Sequence, residues 1–208
     1  MRITDTVKHL IIINVLMFIG TLSVGQGVLF YDLFAMHFPR HEAFQPWQII
    51  THMFMHGDSM HIFFNMFGLW MFGSVLENVW GPKRFLLFYI ICGLGAAALH
   101  LGVLHFGYYE IEQAFRQYQQ SPTLDNFVLF VKEHIEPLKA PASGRLQSVY
   151  SNWINNQTGD YSQESFKAIN QYLHGVKLSN GEYVSGLFDE ATVGASGAVF
   201  GVLFAFGY

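Results

Sequence analysis

The chain is short of charge. Only 12% of its 208 residues are Asp, Glu, Lys or Arg, about half of what an ordinary soluble domain carries. It has a single cysteine, Cys92, which excludes an intramolecular disulfide framework and any CxxC redox or zinc site. It has no basic surplus: the formal net charge is −4, which removes the electrostatic footprint of a nucleic-acid binder. It also lacks internal repeats and low-complexity runs. What it has instead is apolar mass, 51% hydrophobic residues with 21 Phe, 8 Met and 4 Trp. That composition excludes a disordered chain. Yet the mean hydropathy is only +0.27, so the average conceals two unlike parts.

The placement of the charges separates those parts. No charged residue lies between Lys8 and Asp32, between Asp58 and Glu77, between Arg84 and Glu110, or after Glu190. A membrane-spanning helix needs about 20 predominantly apolar residues, and each of these four gaps is long enough to read as a span. The first, HLIIINVLMFIGTLSVGQGVLF, is too long for a signal-peptide apolar region and lacks its cleavage site. Residues 107–190 differ, because this stretch holds most of the charges, 10 acids and 6 bases. The expected organisation is residues 1–106 with three spans and an outer loop at 31–50, a polar insertion at 107–190, and a fourth span at 191–208. The fold class is an all-α polytopic membrane protein with a helical extracytoplasmic insertion.

Short flanks set the orientation. Arg2 and Lys8 precede the first span, and Lys83 and Arg84 join the second to the third, so both groups face one side. The positive-inside rule makes that side cytoplasmic. The N-terminus is then cytoplasmic, and the loop 31–50 and the insertion lie outside. Within the insertion, Ser121-Pro122 predicts a helix start with Ser121 as the N-cap. Leu124, Phe127, Val128, Val131 and Ile135 follow at helical spacing. Leu146, Val149, Tyr150, Trp153 and Ile154 make a second stripe. Phe166, Ile169, Tyr172 and Leu173 make a third, with Gly175 as its C-cap. Asn180-Gly181 predicts a hairpin-type turn, and Asn156-Gln-Thr158 matches the short glycosylation sequon.

Polar side chains at membrane depth are costly and mark functional candidates. The segment entering the second span, THMFMHGDSMHIFFN, brings His52, His56, His61 and Asn65 close together in sequence. His61 and Asn65 are four apart and share a helix face. From His56 to His61 is about 140° around an ideal helix, so the three histidines cannot all line one face. Three readings stand at this point: a metal or haem site, polar packing near the membrane surface, and hydrogen-bond donors of a catalytic centre. HExxH and the aspartyl GxGD motif are both absent. The fourth span offers a nucleophile: Gly194, Ser196, Gly197 and Gly201 form GxSGxxxG. A serine between glycines near a helix start has a free backbone N–H, suited to an oxyanion. The same glycines also suit plain helix packing.

H-x4-H-x3-N in one span and GxSGxxxG in a later one resemble the rhomboid family of intramembrane serine proteases. The likeness starts at Trp47, runs through THMFMHGDSMHIFFNMFGLWMFGSVLENVWG, and resumes at VGASGAVFG. It covers nearly all of the membrane part and none of the insertion. The resemblance implies a rhomboid-like bundle of about six spans, of which four are present here. It implies Ser196 as nucleophile, with His61, Asn65 and the Ser196 N–H as the oxyanion hole. Gly194 and Gly197 would support the serine turn, and His52 would help retain water. Glu77 and Gly81 match a structural ExxxG motif. Phe34, Phe38, Phe44 and Trp47 fit the family's loop in the outer leaflet. Two features depart. Trp47-Gln48 stands where the family often has Trp-Arg. The dyad histidine of an AHxxG-type motif is not found, since none of His9, His37, His41, His100, His105, His134 or His174 matches it, and it is expected after Tyr208. The implied partners are transmembrane substrates and the bilayer, with no cofactor, no metal and no nucleic acid. The implied location is a bacterial cytoplasmic membrane. An inactive rhomboid-like protein that binds transmembrane clients is the alternative.

Overall fold

A computed structural model describes residues 2–24, 28–39, 41, 43–135, 144–156, 158–177, 183–184, 186–189 and 191–206. The chain forms two compact units: Met1–Gly102 with Ala191–Tyr208, and Val103–Glu190. The first unit is built on α1 (Asp5–Ser23), α4 (Ser59–Gly68), α5 (Ser74–Trp80), the first part of α6 (Pro82–Gln120) and α10 (Ser196–Phe206). A π-helical turn, Leu69–Gly73, joins α4 to α5, so Ser59–Trp80 runs as one rod. Helix α1, this rod and α6 are long and apolar enough to cross a membrane, whereas α10 is shorter.

Helix α1 is apolar around most of its circumference, and Leu16 and Leu22 are exposed, as are Leu87 and Leu99 of α6. Water would penalise each of these by its apolar area, whereas hydrocarbon accepts them. The few polar side chains inside α1 are answered locally. Asn14 donates to the Leu10 carbonyl at 2.8 Å and Thr21 to that of Met17 at 3.0 Å, each one turn back. The core proper lies where the helices meet, with Val7, Leu69, Phe85, Tyr89 and Val202 buried.

Close approach in this core uses small residues. A Cβ on Gly197 would collide with Ala96, and one on Gly201 with the Cys92 side chain. The GxxxG pair therefore seats α10 against α6. Gly68 meets Val199 from the α4 side.

Glu77 ties the helices together at one end. Its carboxylate accepts the Thr6 and Val7 backbone N–H groups at 3.0 Å each, and the Thr4 hydroxyl. Thr4 is the N-cap of α1 but makes no side-chain cap bond of its own to the helix. A carboxylate far away in sequence thus supplies the acceptor that a helix start needs. The Glu77 carbonyl meanwhile accepts from Gly81. Gly81 has φ +80, a left-handed conformation that favours glycine, and it turns the chain into α6. Both members of the ExxxG pair therefore act at this junction.

The segment between α1 and α4 is only partly loop. It holds α2 (Val28–Phe34), α3 (Gln48–Thr51) and a 3-10 turn at His52–Phe54. Buried Gln48 organises it. Its amide nitrogen donates to the carbonyls of Asp32 (2.8 Å) and Ala43 (3.0 Å). Its amide oxygen accepts from the N–H of His37 (3.3 Å) and Gln45 (3.1 Å). An arginine has no acceptor, so it could not serve the last two. The Trp47 indole donates to the Leu33 carbonyl and Thr51 to that of Phe34, both at 2.8 Å. Of the aromatic residues here, Phe38 is buried and Trp47 is exposed.

In the second unit, the polar stretch does not begin with a new helix, because α6 continues without a break to Gln120. The expected cap at Ser121 is displaced. The next helix, α7 (Leu124–Phe130), is capped by Thr123, whose hydroxyl accepts the Asn126 N–H. The Ser121 carbonyl instead accepts from the Asn126 side chain and the Thr123 N–H. A π-helical turn, Val131–Ile135, extends α7. The other stripes fall on α8 (Gly144–Asn155) and α9 (Ser162–His174). Gly175, at φ +69, caps α9. Phe127 stacks on Trp153 (centroids 5.5 Å apart), and the Tyr118 hydroxyl bonds to Ser165. The all-helical pattern is interrupted by one antiparallel pair, Val176–Lys177 with Tyr183–Val184. Asn180-Gly181 lies outside the described residues. Asn156 of the sequon is exposed, and Gln157 is also outside.

Removing the Glu77 carboxylate leaves two N–H groups of a buried helix start without an acceptor. Glu77→Ala should cost about 2 kcal/mol of stability, and Glu77→Gln should cost less because the amide oxygen still accepts. Thermal melts in detergent check this, and equal melting of Glu77→Ala and the parent would contradict it.

Candidate active site

The residues singled out above lie in the first unit, and the structure draws most of them to the start of α10. Helix α4 carries His61 and Asn65. It begins after Asp58, whose side chain accepts the N–H groups of Met60 (2.8 Å) and His61 (2.9 Å). That N-cap fixes where the helix starts, and so which way His61 and Asn65 point.

Between the 3-10 turn and α4, at residues 55–58, the chain is not helical. His52 sits in the 3-10 turn, and Met55 is extended. The ideal-helix argument kept the three histidines apart, but this break reorients His56. Its ring lies edge-on to His61, with centroids 4.9 Å apart and planes at 70°. Asn65 Nδ2 stands 3.1 Å from His56 Nε2. An amide nitrogen only donates, so Nε2 accepts and the imidazole is neutral. Burial, with His61 contributing, pushes the His56 imidazole down to about 4. Burial also lowers His52. Desolvation disfavours the charged ring in both cases.

The His52 ring donates from Nδ1 to the Gln48 carbonyl at 2.9 Å. Its backbone does something the sequence did not reveal: the His52 carbonyl accepts the Gly194 N–H at 2.9 Å. Just before Gly194, Thr192 and Met36 exchange a pair of backbone hydrogen bonds at 2.9 Å each. The approach to Ser196 is therefore strapped to the segment between α1 and α4 on two sides. Nothing in the local pattern of either strand signals that bridge.

Gly194 has φ +121. A Cβ there would lie 2.8 Å from Cε1 and Nε2 of His61, and 3.6 Å from Ser196 Oγ. The imidazole and the hydroxyl thus converge over a residue that must be glycine, both for its backbone and for the space. Ser196 is the first residue of α10, and the first backbone bond of the helix runs from the Val199 N–H to the Ala195 carbonyl. Among the described residues, no acceptor is bonded to the N–H of Ser196, Gly197 or Ala198. Ser196 and His61 are half-buried, and Asn65 is buried. Asn65 has a second amide hydrogen beyond the one given to His56. The arrangement offers a hydroxyl and several N–H donors, which suits a nucleophile beside a developing negative charge. No group of three or more His, Cys, Asp or Glu arranged for a metal ion is found among the described residues.

The long apolar helices define a membrane protein, and a serine lies at the glycine-shaped start of α10. The rhomboid domain model matches residues 43–110, which include His52, His56, His61, Asn65, Glu77 and Gly81 but not Ser196. The chain is 30% identical over 74 residues to rhomboid protease GlpG of Haemophilus influenzae, covering 34% of this chain and 38% of that protein. It is 38% identical over 55 residues to the mitochondrial RHOMBOID-like protein 6 of Arabidopsis thaliana, covering 26% and 18%. It is 35% identical over 48 residues to rhomboid protease GluP of Bacillus subtilis, covering 23% and 10%. The aligned part of this chain thus spans well under two thirds of each of these relatives. These matches support a rhomboid assignment for this part of the chain, and its long apolar helices mark a multi-pass membrane protein.

A methyl group at 194 must push His61 aside and strain the backbone. Gly194→Ala in the full-length protein should slow labelling of Ser196 by a fluorophosphonate about 100-fold. Labelling at the parental rate would show that His61 and Ser196 do not depend on this glycine.

Proposed function

We propose that this chain carries the nucleophile and oxyanion hole of an intramembrane serine endopeptidase that cleaves transmembrane proteins near the outer leaflet. The observation that carries the reading is the convergence at Gly194: His61 and the Ser196 hydroxyl share one small space at the unbonded start of α10. The rhomboid proteases among its relatives support the reaction class.

In this reading Ser196 Oγ attacks the scissile carbonyl carbon. Its proton passes to the imidazole that forms the other half of a Ser-His dyad. The carbonyl oxygen becomes an oxyanion and receives hydrogen bonds from the Ser196 N–H, His61 and Asn65. Collapse of the intermediate expels the amine, which takes the proton from the imidazole and leaves an acyl-serine. Water then attacks this ester with the same histidine as base, and the carboxylic acid departs. Gly194 keeps the turn open, and Gly197 lets α10 lie against Ala96. His52 helps hold water near the ester. The N-terminus is cytoplasmic and the α10 segment forms a fourth span in a bacterial inner membrane. Residues 107–190 form an extracytoplasmic insertion.

The full-length protein, expressed in membranes with a transmembrane reporter, tests the proposal. Ser196→Ala should abolish cleavage. His61→Ala and Asn65→Ala should each lower kcat about 10²–10³-fold with little change in KM, because their donors act on the transition state. Cleavage by Ser196→Ala at the parental rate would refute the assignment.

Deleting 112–186 addresses the insertion. Recognition by this stretch predicts selective loss across a panel of substrates. Uniform loss would mean that the stretch serves folding.

A further inference from the structure

His56 is not needed as nucleophile, base or oxyanion donor in the reaction above, yet it is the side chain that touches both donor residues. It is fully buried. Its Nε2 accepts from Asn65 at 3.1 Å, and its ring packs edge-on against His61 at 4.9 Å. It comes from outside α4, on the non-helical stretch that ends at the Asp58 cap. It therefore constrains the two helix-borne donors independently of the helix.

The Asn65 side chain can rotate about χ2, and a free amide would aim its two hydrogens in many directions. Holding one hydrogen on His56 fixes the amide plane and hence the direction of the other. The edge contact similarly limits the swing of the His61 ring, whose Nε2 lies over Gly194. We propose that His56 is a positioning residue of the oxyanion hole, which aims the free amide hydrogen of Asn65 and steadies the His61 ring while touching no substrate atom. The inference rests on the protease reading above. A neutral His56 is required, because an imidazolium has no acceptor to offer Asn65.

The test is a double-mutant cycle on the full-length protein, with kcat and KM measured for a transmembrane reporter. His56→Phe keeps the ring volume and the edge contact but removes the acceptor. It should lower kcat about tenfold and leave KM unchanged, in proportion to one lost hydrogen bond. His56→Gln, which can still accept through its side-chain oxygen, should recover much of that loss. The double variant His56→Phe with Asn65→Ala should be no slower than Asn65→Ala alone, because the role of His56 is expressed through Asn65. A multiplicative loss in the double variant would overturn the proposal, and so would equal kcat for His56→Phe and the parent. If His56→Phe fails to fold, the cycle with His56→Leu, which also lacks the acceptor, decides, since a purely structural histidine predicts losses independent of residue 65. Ser196→Ala separates the two levels. If cleavage survives Ser196→Ala, the protease reading has failed. If cleavage depends on Ser196 but the cycle is multiplicative, only the role of His56 has failed.

Discussion

The first turn of α10 is the constraint on which the rest of the arrangement turns. A helix start exposes N–H groups that the helix cannot bond, and in a low-dielectric setting each unanswered one is expensive. Elsewhere the protein answers them. Glu77 serves α1, Asp58 serves α4 and Thr123 serves α7. At α10 the position before the serine is Ala195, which has no side-chain acceptor, and the next residue back is a glycine. The same fold that answers the starts of α1, α4 and α7 leaves this one open beside a hydroxyl. Stability is forgone at this helix start, and in the proposed reaction an incoming oxyanion would restore it.

An open helix start needs support that does not block it. Here the support comes through backbone and through missing side chains. Gly194 is held by the His52 carbonyl and Thr192 by Met36, so the approach to the serine is fixed without a side chain entering the space above it. From behind, Gly197 and Gly201 let α10 settle on Ala96 and Cys92. The segment that supplies Met36 is itself held by the four hydrogen bonds of Gln48. A chain of hydrogen bonds thus runs from the Gln48 side chain through this segment to Thr192, just ahead of Ser196. Gln48 suits this scaffold because an amide both donates and accepts.

How far the sequence disclosed this depends on the range of each interaction. Charge gaps located the long helices, because desolvating a charge is costly wherever it falls along a span. Helical periodicity paired His61 with Asn65, and GxSG marked Ser196, since both patterns are local. Where a distant partner decided the outcome, the local pattern misled or was silent. Ser121 looked like a cap, but Thr123 was better placed to accept from Asn126. The polar insertion looked like a new beginning, but its first residues continue α6. Gln48 appeared only as a missing arginine, and the Met36–Thr192 bridge left no trace at all.

His56 shows why such a site resists reading from periodicity. On an uninterrupted helix it would point about 140° away from His61. The helix is interrupted, and Asp58 is the reason. Its side chain claims the N–H groups of Met60 and His61, which fixes the helix start just ahead of His61 and leaves His56 outside the helix. A single capping carboxylate therefore sets the phase of the two donors on α4 and also frees a third side chain to reach back onto them. The spacing H-x4-H-x3-N is then a statement about a break followed by a helix. The first interval crosses the break, and the second is one turn of α4. The step from His56 to His61 that looked incompatible with a shared face is what places the acceptor opposite the amide.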